Sequence, residues 1–139
     1  MERFLAADSA SPFQLKTSKK MNIEEFREDC LSKKGMEETF PFGEDTLVFK
    51  VMGKIFAITG LDSAEFAVNL KCDPDRAIEL REQHPEVRPG WHMNKKHWNT
   101  VEFETGLSDE FLCELIDHSY DMVLKGLPKK VRAELEGMD

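Results

Sequence analysis

From Thr46 to Cys72, apolar side chains return at every second position through three consecutive runs, and this alternation constrains the fold more than any other feature. Thr46–Met52 sets Leu47, Phe49 and Val51 on one side, and Lys54–Thr59 follows across a reversal at Gly53. Glu65–Cys72 then places Phe66, Val68, Leu70 and Cys72 inward and Glu65, Asn69 and Lys71 outward. A period of two is that of a half-buried strand, and links this short join antiparallel neighbours. The spacing predicts an antiparallel meander with one buried face.

Helical patterns flank the meander. Asn22 can cap a helix over 23–34, with Glu25 three residues on as its capping-box partner and Gly35 as its stop. Ile23, Phe26, Cys30 and Leu31 form its apolar stripe. Asp73-Pro74 opens a second helix that Pro85 ends, because Asp caps and Pro tolerates the first helical position. Ser108 opens a third, with Phe111, Leu112, Leu115, Ile116, Met122 and Val123 at helical spacing up to Gly126, and Pro128 opens a short last one. Phe40–Gly43 reads as a short extended piece ending in a turn, 86–96 as irregular, and Trp98–Glu104 as one more strand with Val101 and Phe103 inward. The fold class that follows is α+β, an antiparallel meander sheet with helices on one face.

The chain of 139 residues fits one domain over 21–139. Residues 1–20 show no sustained period and read as a flexible tail or a start-site extension. They carry Arg3, Lys16, Lys19 and Lys20 against Glu2 and Asp8, a net +2, so a total of −8 leaves −10 on the rest. So acidic a domain repels nucleic acid and anionic membranes at long range, and any such binding must use a local basic patch. Cys30, Cys72 and Cys113 are widely spaced, odd in number and form no CxxC pair, which reads as reduced, buried thiols. No apolar run has membrane-spanning length and no secretory leader is recognisable, so the expected location is the cytoplasm.

One such patch stands out. Arg88, Trp91, His92, Asn94, Lys95, Lys96, His97, Trp98 and Asn99 fall within a dozen residues and combine cations, planar rings and amides. Those are the groups that phosphate contact, base stacking and base-edge recognition require. Lys50 and Lys54 flank the Gly53 reversal and would sit at a hairpin tip. The structural alternative is that Trp91 and Trp98 cover the end of the sheet while Asn94 and Asn99 tie the loop to its own backbone.

The run PGWHMNKKHWNTV at 89–101 and DHSYDMV at 117–123, with Pro41-Phe42-Gly43 and the meander, resemble the MmcQ/YjbR family over 21–135. The resemblance implies a CyaY-like α+β fold, also described as a double wing, and a DNA-binding role. It implies no catalytic residues and no cofactor.

The other candidates have plainer readings. His92 and His97 lack a third ligand for a metal. His118 lies on an apolar helix face, where a core histidine with one hydrogen-bond partner is the commoner case, and Ser119 has no nucleophile elbow around it. Glu24, Glu25, Glu28 and Asp29 line the first helix as a carboxylate ridge that could attract a hard cation, although such a run usually faces water. No catalytic motif is present. The expected function is a non-enzymatic module, monomer or weak dimer. It would bind DNA through the basic-aromatic loop and hairpin, or else a protein partner through the sheet face and its aromatics.

Overall fold

The structure is a computed structural model and describes residues 21–138 apart from Ser63 and His92. The expected tail, 1–20, and His92 therefore lie outside the described residues. The order is α1 (Ile23–Leu31), β1 (Met36–Thr39), β2 (Thr46–Val51), β3 (Lys54–Gly60), β4 (Ala67–Lys71), α2 (Pro74–Gln83), β5 (Val87–Pro89), β6 (Trp98–Glu102), α3 (Asp109–Lys125) and α4 (Lys129–Glu136). The strands form one antiparallel sheet in the order β1-β2-β3-β4-β6-β5.

The caps form as the sequence predicts. Asn22 Oδ1 accepts the Glu25 N–H at 2.9 Å, and the Glu25 carboxylate accepts the Asn22 N–H at 3.1 Å. Asp73 and Ser108 cap α2 and α3. The β2–β3 reversal turns on Met52 and Gly53, with φ of 49° and 85°. Positive φ at both central positions is what a tight hairpin between twisted strands demands.

Two strands differ from expectation. β1 begins at Met36, and Pro41-Phe42 is the turn that follows it rather than an extended piece. The stretch 86–96 contains β5, a three-residue edge strand ending at Pro89. Both are outer strands of the sheet, where one side of the ladder is open and polar residues or proline are tolerated.

The core lies between the sheet and the helices. The ring of Phe26 meets those of Phe49, Phe66 and Phe103 edge-on at 5.6, 5.8 and 5.5 Å between centroids. Such pairs add roughly 0.5–1.5 kcal/mol each beyond their burial. One irregularity shapes this face. Phe49 pairs with Ala57 but Lys50 with Ile55, so Phe56 is an extra residue bulged out of the ladder. The bulge lets Phe56 and Ala57 both bury. Ser119 on α3 reaches the backbone at this point. Its hydroxyl donates to Phe56 O and accepts the Lys71 N–H at 2.8 Å, fastening α3 to β3 and β4. Ser119 is thus the buried polar anchor that its helix position implies.

Candidate functional site

Register fixes what the other face of the sheet presents. Thr39, Val48, Ile58, Asn69, Thr100 and Arg88 are successive cross-strand partners over all six strands. They alternate with the core positions Phe49, Ala57, Leu70 and Val101, so they stand on the side away from the helices. This open face carries a groove of about 1040 Å³, with Ile58, Asn69 and Thr100 in its lining. Phe42 of the β1–β2 turn and Trp91 of the β5–β6 loop also line it, and they are 66% and 70% exposed. β2 and β6 are three strand spacings apart, roughly 14 Å.

The Trp91 rim is held by its backbone. The Trp91 N–H donates to Thr100 Oγ1 at 3.0 Å, Thr100 donates to Asn69 Oδ1, and Asn69 Nδ2 donates to the Trp91 carbonyl at 3.4 Å. Just before it, Gly90 packs so closely that a Cβ there would lie 2.8 Å from Trp98 Cβ and 2.9 Å from Trp98 O. Arg81 of α2 pins the far side of the loop. Its Nε donates to Asn99 Oδ1 at 2.7 Å, and its Nη2 donates to the carbonyls of Lys95 and Trp98.

The residues singled out in the sequence divide accordingly. Arg88, Trp91 and Lys95 line the groove. Arg88 is neutralised there, donating to Glu102 and, at 3.0 Å, to Glu65. The Lys95 ammonium donates to Gly90 O at 3.1 Å. Asn99 is only 2% exposed and bound to Arg81, so its amide is turned away from any ligand. Asn94 Oδ1 accepts the Lys96 N–H at 2.9 Å and its carbonyl accepts the His97 N–H, a turn-forming role. Trp98 and His97 are half-buried, and the His97 carbonyl accepts the Cys72 N–H at 2.8 Å. Lys50, Lys54 and Lys96 form no ion pair among the described residues, and Lys50 stands opposite Glu37 in the ladder. Both lysines of the hairpin lie outside the groove lining. Phe42, Ile58, Asn69 and Thr100 escape a search for functional motifs. The available signal was the alternation itself, which sets the solvent-side positions of each strand in one row.

Elsewhere the titratable groups serve structure. Burial, then the Arg76 charge, hold the His118 imidazole below its ordinary range, and its Nε2 accepts the Asp73 N–H at 3.1 Å. His118 and Ser119 each engage backbone, and no hydrogen bond joins them as a nucleophile and its base would be joined. Burial raises all three thiols, Cys72 and Cys113 to about 11, which leaves them protonated and weakly nucleophilic. Cys113 is partly exposed where full burial was expected. Glu25 of the carboxylate ridge caps α1, and Asp29 leans toward Lys33 and Cys113 with its carboxyl raised by burial. Among the described residues no three His, Cys, Asp or Glu side chains converge to hold a metal ion. No helix there is long and apolar enough to cross a membrane.

Six antiparallel strands backed by helices, with a loop-rimmed groove on the open face, define a small α+β protein. Comparison narrows the class: the YjbR family model matches residues 31–122, and the chain belongs to that family. It is similar to YjbR of Escherichia coli K12, an uncharacterised protein, with 36% identity over 81% of this chain and 95% of that one. It is also similar to YbdF of Escherichia coli O157:H7, likewise uncharacterised, with 38% identity over 68% and 78%. The crystal structure of Deinococcus radiodurans DR2400, described as a DUF419 domain, superposes with a TM-score of 0.79. That pair shares 39% identity over 88% of this chain and 92% of the other.

Proposed function

We propose that this chain is a non-enzymatic protein-binding module whose ligand surface is the open face of the sheet. One observation carries the reading: Phe42 and Trp91 stand 66% and 70% exposed at two rims of a groove with the apolar Ile58 in its lining. Exposed aromatics around a concave apolar floor are the usual anchors of protein recognition. The polar groups in the groove suit a peptide better than a phosphate chain. Asn69 and Thr100 offer amide and hydroxyl atoms, while Arg88 has spent its charge on Glu65 and Glu102.

A nucleic-acid role has a narrower support. Lys50, Lys54 and Lys96, with Lys71 of β4, carry ammonium groups toward the hairpin-tip end of the sheet without ion pairs among the described residues. They would have to overcome a net charge of −10 on residues 21–139.

Short peptides selected by phage display on the wild-type chain, then titrated into Trp91→Ala and Ile58→Lys, test the choice. The groove reading expects both variants to lose about tenfold or more in affinity, ~1.4 kcal/mol. Unchanged affinity contradicts it. Retardation by a short DNA duplex, lost on Lys50→Ala/Lys54→Ala and steep in salt, would replace it with the nucleic-acid role.

A further inference from the structure

We infer that the partner of the open face is an extended protein segment with its charges segregated: basic at one end, apolar in the middle, acidic at the other. The inference rests on the groove being a protein-binding surface and names the chemistry of what it takes.

The register divides the face into two ends. Thr46 pairs with Gly60 and Ala67 with Glu102, so the β1–β2 and β3–β4 turns share one end. Val51 pairs with Lys54 and Lys71 with Trp98, so the β2–β3 tip and the start of β6 share the other. The two turns are fastened together, the Leu61 N–H donating to Asp45 O at 2.7 Å.

The ends differ in sign. Residues 40–45 and 61–66 contain no Lys or Arg, and they present Glu44, Asp45 and Asp62 as exposed carboxylates. Asp62 lines the groove. At the far end, Lys71 follows Ala67 and Asn69 on the groove side of β4, and Lys95 lines the groove from the β5–β6 loop. Lys95 donates to a carbonyl, Gly90 O, and so keeps its charge. Neither Asp62 nor Lys71 forms an ion pair among the described residues. The charged residues of the lining, Asp62, Glu65, Arg88 and Lys95, sum to zero, but the balance hides a separation. Arg88 closes on Glu65 and Glu102 within the face and counts toward neither end.

Such charges at the rim of an interface set direction and register more than strength. A uniformly basic partner would meet Lys71 and Lys95. A uniformly acidic one would meet Glu44, Asp45 and Asp62, and the net −10 of residues 21–139. A segment carrying both signs, kept apart, satisfies both ends. Ala67 to Lys71 is four residue steps, about 13 Å along β4, with Asp62 beyond Ala67. An extended partner would therefore carry its opposite charges more than about four residues apart. The stretch between them passes Ile58 and the aromatic rims at Phe42 and Trp91, which calls for apolar side chains.

Three synthetic peptides of one length and a shared Leu-Val centre, titrated into the whole chain, carry the test. One has Lys at one end and Glu at the other, one has Lys at both ends, and one has Glu at both ends. The wild type is expected to bind the mixed-end peptide about tenfold more tightly than either other at low salt, since each of those sets a like charge against the face. Asp62→Lys should move the preference to the peptide with Glu at both ends, and Lys71→Glu to the one with Lys at both ends. Glu44→Lys/Asp45→Lys, in the neighbouring turn, repeats the first swap if Asp62→Lys fails to fold. Equal affinities for the three peptides, all lost on Ile58→Lys, overturn the inference and leave the groove reading standing. A preference for one uniformly charged peptide that neither variant moves also overturns it. Peptides that bind in any order of preference but ignore Ile58→Lys remove the groove reading and the inference together.

Discussion

The hydroxyl of Thr100 receives the backbone N–H of Trp91 at 3.0 Å across the end of the sheet. Through this bond a residue in the middle of a strand decides where the most exposed large apolar side chain of the described residues stands. Replacing Thr100 with Val keeps the β-branched shape and deletes the acceptor. The expected cost is about 1–2 kcal/mol in urea unfolding, for a part-buried N–H left unpaired. Amide exchange at Trp91 should accelerate while exchange at Val101 and Leu70 stays slow.

Ser119→Ala should destabilise more than its exposed neighbour Asp121→Ala. It strands two backbone groups at once, the Phe56 carbonyl at the bulge and the Lys71 N–H. A loss of about 2–3 kcal/mol is expected from chemical denaturation. A Ser119→Thr variant, which retains the hydroxyl, should recover part of it.

Gly90→Ala should disturb the loop although Gly90 has an ordinary backbone. The added methyl would press on the Trp98 main chain at 2.9 Å, which cannot swing aside as a side chain could. About 1–3 kcal/mol is expected in thermal or urea unfolding. The affinity of a groove-bound peptide should fall with it, because Trp91 follows directly in the chain.

Acid should weaken the fold through His118. Burial and Arg76 lower its pKa in the folded state, with Lys125 adding to this and Asp73 and Asp121 opposing. The unfolded chain therefore binds this proton more tightly. The contribution of His118 is complete above the ordinary value of 6.5 and declines as pH falls through the folded value, when the protonated ring can no longer accept the Asp73 N–H. Urea midpoints between about pH 7 and 5 should fall in the wild type and fall less in His118→Gln.

Much of this architecture can be read from residues alone, and the reason is local. Leu47, Phe49 and Val51 on β2, and Val68, Leu70 and Cys72 around β4, alternate because one face of each strand is covered. Asn22 with Glu25, Asp73 with Pro74, and Ser108 declare helix starts through bonds made within one turn. β1 and β5 are not legible in this way. Met36-Glu37-Glu38-Thr39 and Val87-Arg88-Pro89 are short outer strands whose pairing is set by β2 and β6, not by any period of their own. The site is half legible for a related reason. Composition marks 88–99 as unusual, but only tertiary structure shows that Asn99 belongs to Arg81, that Arg88 belongs to Glu65 and Glu102, and that Phe42 faces the same groove as Trp91.

The most direct measurement is an amide chemical-shift map of the isotope-labelled chain titrated with a peptide selected on it. Binding in the groove should perturb Ile58, Ala67, Asn69, Trp91 and Thr100 together, with Phe42 responding from the opposite rim. Perturbations confined to Lys50, Gly53, Lys54 and Lys96, with Ile58 and Asn69 silent, would place the ligand at the basic end and contradict the open sheet face as the site.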